Sequence, residues 1–235
     1  MDIMLIGCSW LVPNYYYEEN LRNSDIDTPG APPEIHIRSL LEAEGHSIIN
    51  FAINGYGNDQ LLSDALMTLT PEQNIDLIIF CQSDPVRDYI RNGTTDIISE
   101  VLPHDKLLEK TYHKLNKLKK LLPKSKLVVI GGLTPIEDSI NNIMEYKPDY
   151  QLRWWIEEFF NKDDFSEMGP LPTTAYGYSI LEMDVLSHNE KNNTVTVMDY
   201  MRESKYYPDH GHPGEHMHSW LFHELKNNNL IDNKY

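Results

Sequence analysis

The stretch Ile3-Met4-Leu5-Ile6-Gly7-Cys8-Ser9-Trp10 runs four apolar residues straight into small turn residues, with no charged residue between Asp2 and Glu18. An unbroken apolar run of this length, ended by a turn, is the pattern of a parallel strand buried on both faces. Such a strand delivers Ser9 to the sheet's carboxyl edge, where open α/β sheets bind ligands. A hydroxyl held there can attack a bound substrate, provided the chain supplies a base, an orienting acid and an oxyanion site.

Working outward, residues 11–33 are polar and proline-rich, with three consecutive tyrosines, Tyr15 to Tyr17, and read as a long loop. Ile35, Ile37, Leu40 and Leu41 then mark a helix ended by Gly45. Residues 46–53 supply a second strand, and Asn54 to Asn58 a flexible turn. Leu61, Leu62, Ala65, Leu66 and Leu69 predict a helix that stops before Pro71. A third strand, residues 75–82, is again almost wholly apolar and belongs near the middle of the sheet. It ends in Gln82-Ser83-Asp84-Pro85, a polar turn at the same kind of edge as Ser9. Leu108, Tyr112, Leu115, Leu118 and Leu122 predict an amphipathic helix whose lysines face solvent. Residues 126–132 are a fourth strand. The next strand-like run is Thr194 to Tyr200, about sixty residues on, more than a crossover needs. Residues 135–190 therefore read as a helical and irregular insertion, pinned to the body by Trp154, Trp155, Phe159 and Phe160. Pro213 fits the first turn of a last helix whose apolar face is Met217, Trp220, Leu221 and Leu225. Alternating strands and helices predict a parallel sheet covered on both faces.

Composition narrows the function. The chain has 235 residues, 40% of them hydrophobic, enough for one well-buried core, so 1–235 is read as a single domain. A net charge of −16 repels nucleic acid and anionic membranes. No basic region precedes the first apolar run, and no segment approaches the ~20 apolar residues of a membrane span. The expectation is a cytoplasmic protein with no membrane insertion. Cys8 and Cys81 read as reduced, buried thiols. No glycine-rich dinucleotide fingerprint or P-loop occurs, and no cofactor is expected. A homo-oligomer is left open.

Asp209 and His212 stand three apart in a glycine-containing turn before the last helix. That spacing lets the carboxylate accept from one imidazole nitrogen while the other faces outward. His212 is then the base for Ser9, with backbone N–H groups near Ser9 and Gly55 to receive the oxyanion. His210, His212, His216, His218 and His223 also admit a metal reading, but carboxylate and thiolate ligands at matching spacing are not evident, and no metal is expected.

Gly7-Cys8-Ser9, Asn50-Phe51-Ala52-Ile53-Asn54-Gly55, Gln82-Ser83-Asp84 and Asp209-His210-Gly211-His212-Pro213 resemble, in order, the four blocks of the SGNH/GDSL hydrolases. The resemblance implies a three-layer α/β/α sandwich with a five-stranded, flavodoxin-like sheet of order 2-1-3-4-5, the insertion falling between strands 4 and 5. It implies an esterase, lipase or carbohydrate deacetylase acting through an acyl-enzyme on a small-molecule or glycan ester. By motif position Ser9 is nucleophile, His212 base, Asp209 its partner and Gly55 an oxyanion donor. Cys8 replaces the family's aspartate. Ser83 replaces the asparagine that completes the oxyanion hole, a loss worth on the order of a hundredfold in rate. Gln82 and Asn58 are the candidates to replace that amide, and Ser83→Asn is expected to raise activity where its absence limits turnover. A catalytically weak scaffold kept as a binding module is the alternative.

Overall fold

The computed structural model describes residues 1–7, 10–11, 36–53, 56–70, 72–83, 88, 90–91, 94–95, 104–132, 134–155 and 215–232. In chain order these contain β1 (Asp2–Gly7), α1 (Ile37–Ala43), β2 (Ser47–Asn50), α2 (Asn58–Thr68), β3 (Leu77–Gln82), α3 (His104–Leu121), β4 (Lys126–Gly131), α4 (Ile140–Ile143), β5 (Tyr150–Leu152) and α5 (Glu215–Asn227). The strands form one sheet of order β2-β1-β3-β4-β5, every neighbouring pair parallel. A separate small hairpin pairs Ile90–Arg91 with Thr94–Thr95.

The apolar run that opens the chain is a central strand, paired on one side with β2 and on the other with β3. All six residues of β3 are buried, whereas β2, at the edge, carries the exposed Ser47 and Asn50 at its ends. Alternate residues serve opposite faces, as the two-residue period of a strand requires. Ile3, Leu5, Leu77, Ile79, Val128 and Ile130 pack with Ile37 and Leu41 of α1 and Met217, Leu221 and Leu225 of α5. Met4, Ile6, Ile78, Phe80, Leu127 and Val129 pack with Leu61, Leu62 and Ala65 of α2 and Leu108, Tyr112, Leu115 and Leu118 of α3. The result is the expected α/β/α sandwich. Each fully buried Leu or Ile contributes roughly 1.5–3 kcal/mol, so the two faces together carry the hydrophobic stabilisation.

The helices keep their expected limits within a few residues. Gly45, just past α1, has φ 80°, the left-handed conformation expected of a helix-ending glycine. Cys81 is buried, at the end of β3. Among the described residues, no helix is long and apolar enough to cross a membrane.

One element differs from the sequence reading. The strand flanking β4 is β5, only three residues long, and it lies inside the stretch read as an insertion. Its place is fixed by partners and not by its own pattern: Asp149 N donates to Leu127 O at 2.8 Å, and Asp149 Oδ2 accepts from Leu127 N at 2.7 Å. The run Thr194 to Tyr200, expected to be the fifth strand, lies outside the described residues, as do Phe159 and Phe160.

Candidate active site

β1 and β3 end together, Gly7 standing opposite Cys81. The chain leaving β2 is held beside them: Phe51 N donates to Leu5 O at 2.8 Å and Ile53 N to Gly7 O at 3.0 Å. Three sequence blocks thus adjoin one edge through Gly7, Ile53 and Ser83.

At that edge lies a buried polar network. The Asn58 side chain behaves like a peptide unit toward residue 83: Nδ2 donates to Ser83 O at 2.9 Å and Oδ1 accepts from Ser83 N at 2.7 Å. The Ser83 hydroxyl donates to Tyr56 O at 3.0 Å. Gln82 Nε2 donates to Thr134 Oγ1 at 2.9 Å and to Pro135 O at 2.8 Å, while Gln82 Oε1 accepts from Tyr112 Oη at 3.2 Å. Tyr112 in turn accepts from Glu137 N at 3.1 Å. Asn58, Gln82, Ser83 and Tyr112 have no exposed surface. Burial obliges such groups to find partners, and here they find one another across the ends of three strands.

This geometry changes what two candidates can do. A serine hydroxyl has one proton, and that of Ser83 goes to Tyr56. A glutamine amide has two, and those of Gln82 go to Thr134 and Pro135. Ser83→Asn adds volume to a side chain with no exposed surface. It is expected to lower unfolding free energy by about 1–3 kcal/mol in urea titrations.

Asp88 was not legible as a site residue. Its Oδ1 accepts from Asp59 N in the first turn of α2 at 2.7 Å, so the helix receives its N-terminal cap from a segment 29 residues on. Beside it, Lys114 Nζ pairs with Asp59 Oδ1 at 2.6 Å and donates to Ser63 Oγ at 2.6 Å. Burial, and then the neighbouring Asp59 charge, push the Asp88 carboxyl up to about 7, against the pull of the Asp59 N–H and of Lys114 and Lys110. A carboxyl raised on folding favours the folded state while protonated. Its contribution is full below about pH 3.8 and is lost as pH rises to about 7. Against Asp88→Asn, the wild-type protein is expected to lose relative stability from pH 4 to 7, by at most about 4 kcal/mol, read from denaturation midpoints across that range.

The fourth block precedes α5, and the start of α5 reaches the same edge. α1 leads from the carboxyl end of β1 back to β2, so its N-terminus stands there. Ile37 N, at that N-terminus, donates to His218 Nδ1 at 3.3 Å. The His218 ring meets Trp155, just past β5, edge to face at 5.3 Å, and Trp155 meets Trp10 at 5.9 Å. His36, the N-cap of α1, completes a capping box with Ser39. Burial, with Arg38 nearby, lowers its imidazole pKa.

Cys8, Ser9, Gly55, Asp209, His210 and His212 lie outside the described residues, and of the histidines in the metal reading the side chains of His218 and His223 alone are described. Among the described residues, no three His, Cys, Asp or Glu side chains converge where they could hold a metal.

No protein-family model and no curated protein sequence matches this chain. Solved structures are similar in chain path. One described by the divergent catalytic and non-catalytic binding functions of a carbohydrate esterase active site aligns at TM-score 0.48 and 12% identity, over 99% of this chain and 69% of that one. TesA aligns at TM-score 0.42 and 12% identity, over 97% of each chain. The psychrotrophic esterase EstA from Pseudoalteromonas sp., in a form inhibited by monoethylphosphonate, aligns at TM-score 0.41 and 12% identity, over 97% of this chain and 96% of its own. Likeness at this level lends the chain no activity, so its chemistry has to come from its own residues.

Proposed function

We propose that the chain is a serine esterase of the SGNH/GDSL type that removes a small acyl group through an acyl-enzyme. One arrangement supports the reading. The described residues adjoining all four blocks, namely Gly7, Ile53, Ser83 and the first turns of α5, gather at the carboxyl edge of a parallel sheet. The described neighbours of the four blocks, drawn from the whole length of the sequence, thus lie where such sheets bind ligands.

In this reading Ser9 Oγ attacks the ester carbonyl while His212 takes its proton, with Asp209 orienting the imidazole and stabilising the imidazolium. Backbone N–H groups at Ser9 and Gly55 hold the oxyanion. Collapse breaks the acyl C–O bond, and His212 returns the proton to the departing alkoxide. Water, deprotonated by His212, then releases the acid and restores Ser9. The run Tyr15 to Tyr17 favours a glycan as the alcohol component, an O-acetyl ester being the first substrate to try.

Hydrolysis of p-nitrophenyl acetate by the purified protein, run beside a fluorophosphonate probe read by mass spectrometry, tests the proposal. Turnover with the probe on Ser9 is the expected result. The second reading, a non-catalytic binding module, is favoured by one observation: the hydroxyl at the position of the family's oxyanion asparagine is spent on Tyr56 O. Neither turnover nor labelling, together with retained affinity for acetylated glycans, decides for it.

A further inference from the structure

Asn58 was a candidate oxyanion donor on sequence grounds, but its side chain is fully buried and faces residue 83 with both polar atoms. We infer that Asn58 is a positioning residue: it clasps Ser83, just past β3, to the segment entering α2, and so holds Tyr56, the residue that follows the proposed oxyanion donor Gly55 in sequence. The inference rests on the esterase reading for what is positioned, and on the described hydrogen bonds for the clasp.

Three hydrogen bonds make the clasp. Two join Asn58 to the N–H and C=O of Ser83, and the third runs from Ser83 Oγ to Tyr56 O. Tyr56 follows Gly55 directly in sequence, and its N–H turns back to Ile53 O at 3.4 Å. Ile53 is itself bonded to Gly7, two residues before Ser9. A continuous chain of contacts therefore connects the segments that carry the proposed nucleophile and the proposed oxyanion donor, and Asn58 closes it. Thr134 Oγ1, 3.4 Å from Ser83 O, extends it toward β4. An oxyanion donor works only where it meets the charge as it develops, and a displacement near 1 Å costs on the order of a hundredfold.

Asn58→Asp keeps the size of the side chain and the acceptor for Ser83 N, but sets an oxygen against Ser83 O. It is expected to lower kcat by about ten- to a hundredfold with KM changed less than about threefold, and to slow fluorophosphonate labelling in parallel. Ser125→Ala is the control, since Ser125 Oγ donates to Ile75 O in a buried site at the opposite edge of the sheet. It is expected to reduce stability and leave kcat within about twofold. Equal kcat for the two variants at equal loss of stability overturns the inference.

Ser83→Ala breaks only the Tyr56 link and serves if Asn58→Asp does not fold. It is expected to give a smaller fall in kcat, again with KM steady, and an unchanged kcat overturns the inference. Should wild-type protein neither turn over nor label, the esterase reading fails and the clasp is judged by amide hydrogen exchange. Exchange at Ser83 and Tyr56 is then expected to quicken at least about tenfold in Asn58→Asp and not in Ser125→Ala. Unchanged exchange sinks it independently of activity.

Discussion

Ser9→Ala is expected to bring p-nitrophenyl acetate hydrolysis down on the order of 10⁴-fold or more, to the rate left by the remaining binding and oxyanion groups. The size of the effect follows from the proposed role. Without a nucleophilic oxygen no acyl-enzyme forms, and His212 alone can only assist a water that nothing positions. The melting curve should hold, because Ile3 to Ile6, each fully buried, carry the strand, and the substitution removes a single oxygen beyond it. His212→Ala should cost a similar factor. The decisive comparison is the double variant: residues acting as one unit are non-additive, so Ser9→Ala/His212→Ala should be no slower than Ser9→Ala alone. Multiplying effects would show that the two residues act in separate events. Full activity in Ser9→Ala would remove the triad altogether.

What could be read from the chain alone depended on how local the cause was. β1, β3 and β4 are continuous apolar runs because both faces are covered, and the runs of Ile3, Leu77 and Lys126 announce themselves in any window. The helical faces of α2, α3 and α5 follow from spacing for the same reason. β5 does not, since Tyr150-Gln151-Leu152 is too short to show a period, and it becomes a strand through Val128, Val129 and Ile130 beside it and the Asp149 bonds to Leu127. The site divides in the same way. Ser83 was visible as a residue type out of place, but its partner Asn58 lies 25 residues earlier and nothing in either neighbourhood marks the pairing. Asp88 carries no local mark in the sequence, and its role comes from burial beside Asp59, which raises its pKa. Residue types and order are sequence properties, whereas which proton goes to which acceptor is settled by the fold.

Gly131→Ala is expected to destabilise the protein by about 3 kcal/mol, at the upper end of what overpacking costs. A Cβ on Gly131 would lie 2.0 Å from Arg153 O, 2.9 Å from Arg153 C and 3.0 Å from Ile136 N. All three are backbone atoms, so no side-chain rotation relieves the collision. They are also partners, Ile136 N donating to Arg153 O at 2.7 Å, and the methyl would intrude on that bond. Gly131 pairs with Gln82 at the end of β4, and Thr134 and Pro135, three and four residues on, accept from the Gln82 amide. A shift that admits the methyl therefore pulls on the polar network holding Ser83. Urea unfolding should show the loss as a lower midpoint at unchanged slope. The surviving folded fraction should have a reduced kcat, because the strain is transmitted through Gln82 to the clasp. Wild-type stability in Gly131→Ala would mean that β5 does not approach β4 this closely. A stability loss with kcat intact would confine the effect to the sheet edge and separate the β4 turn from the site.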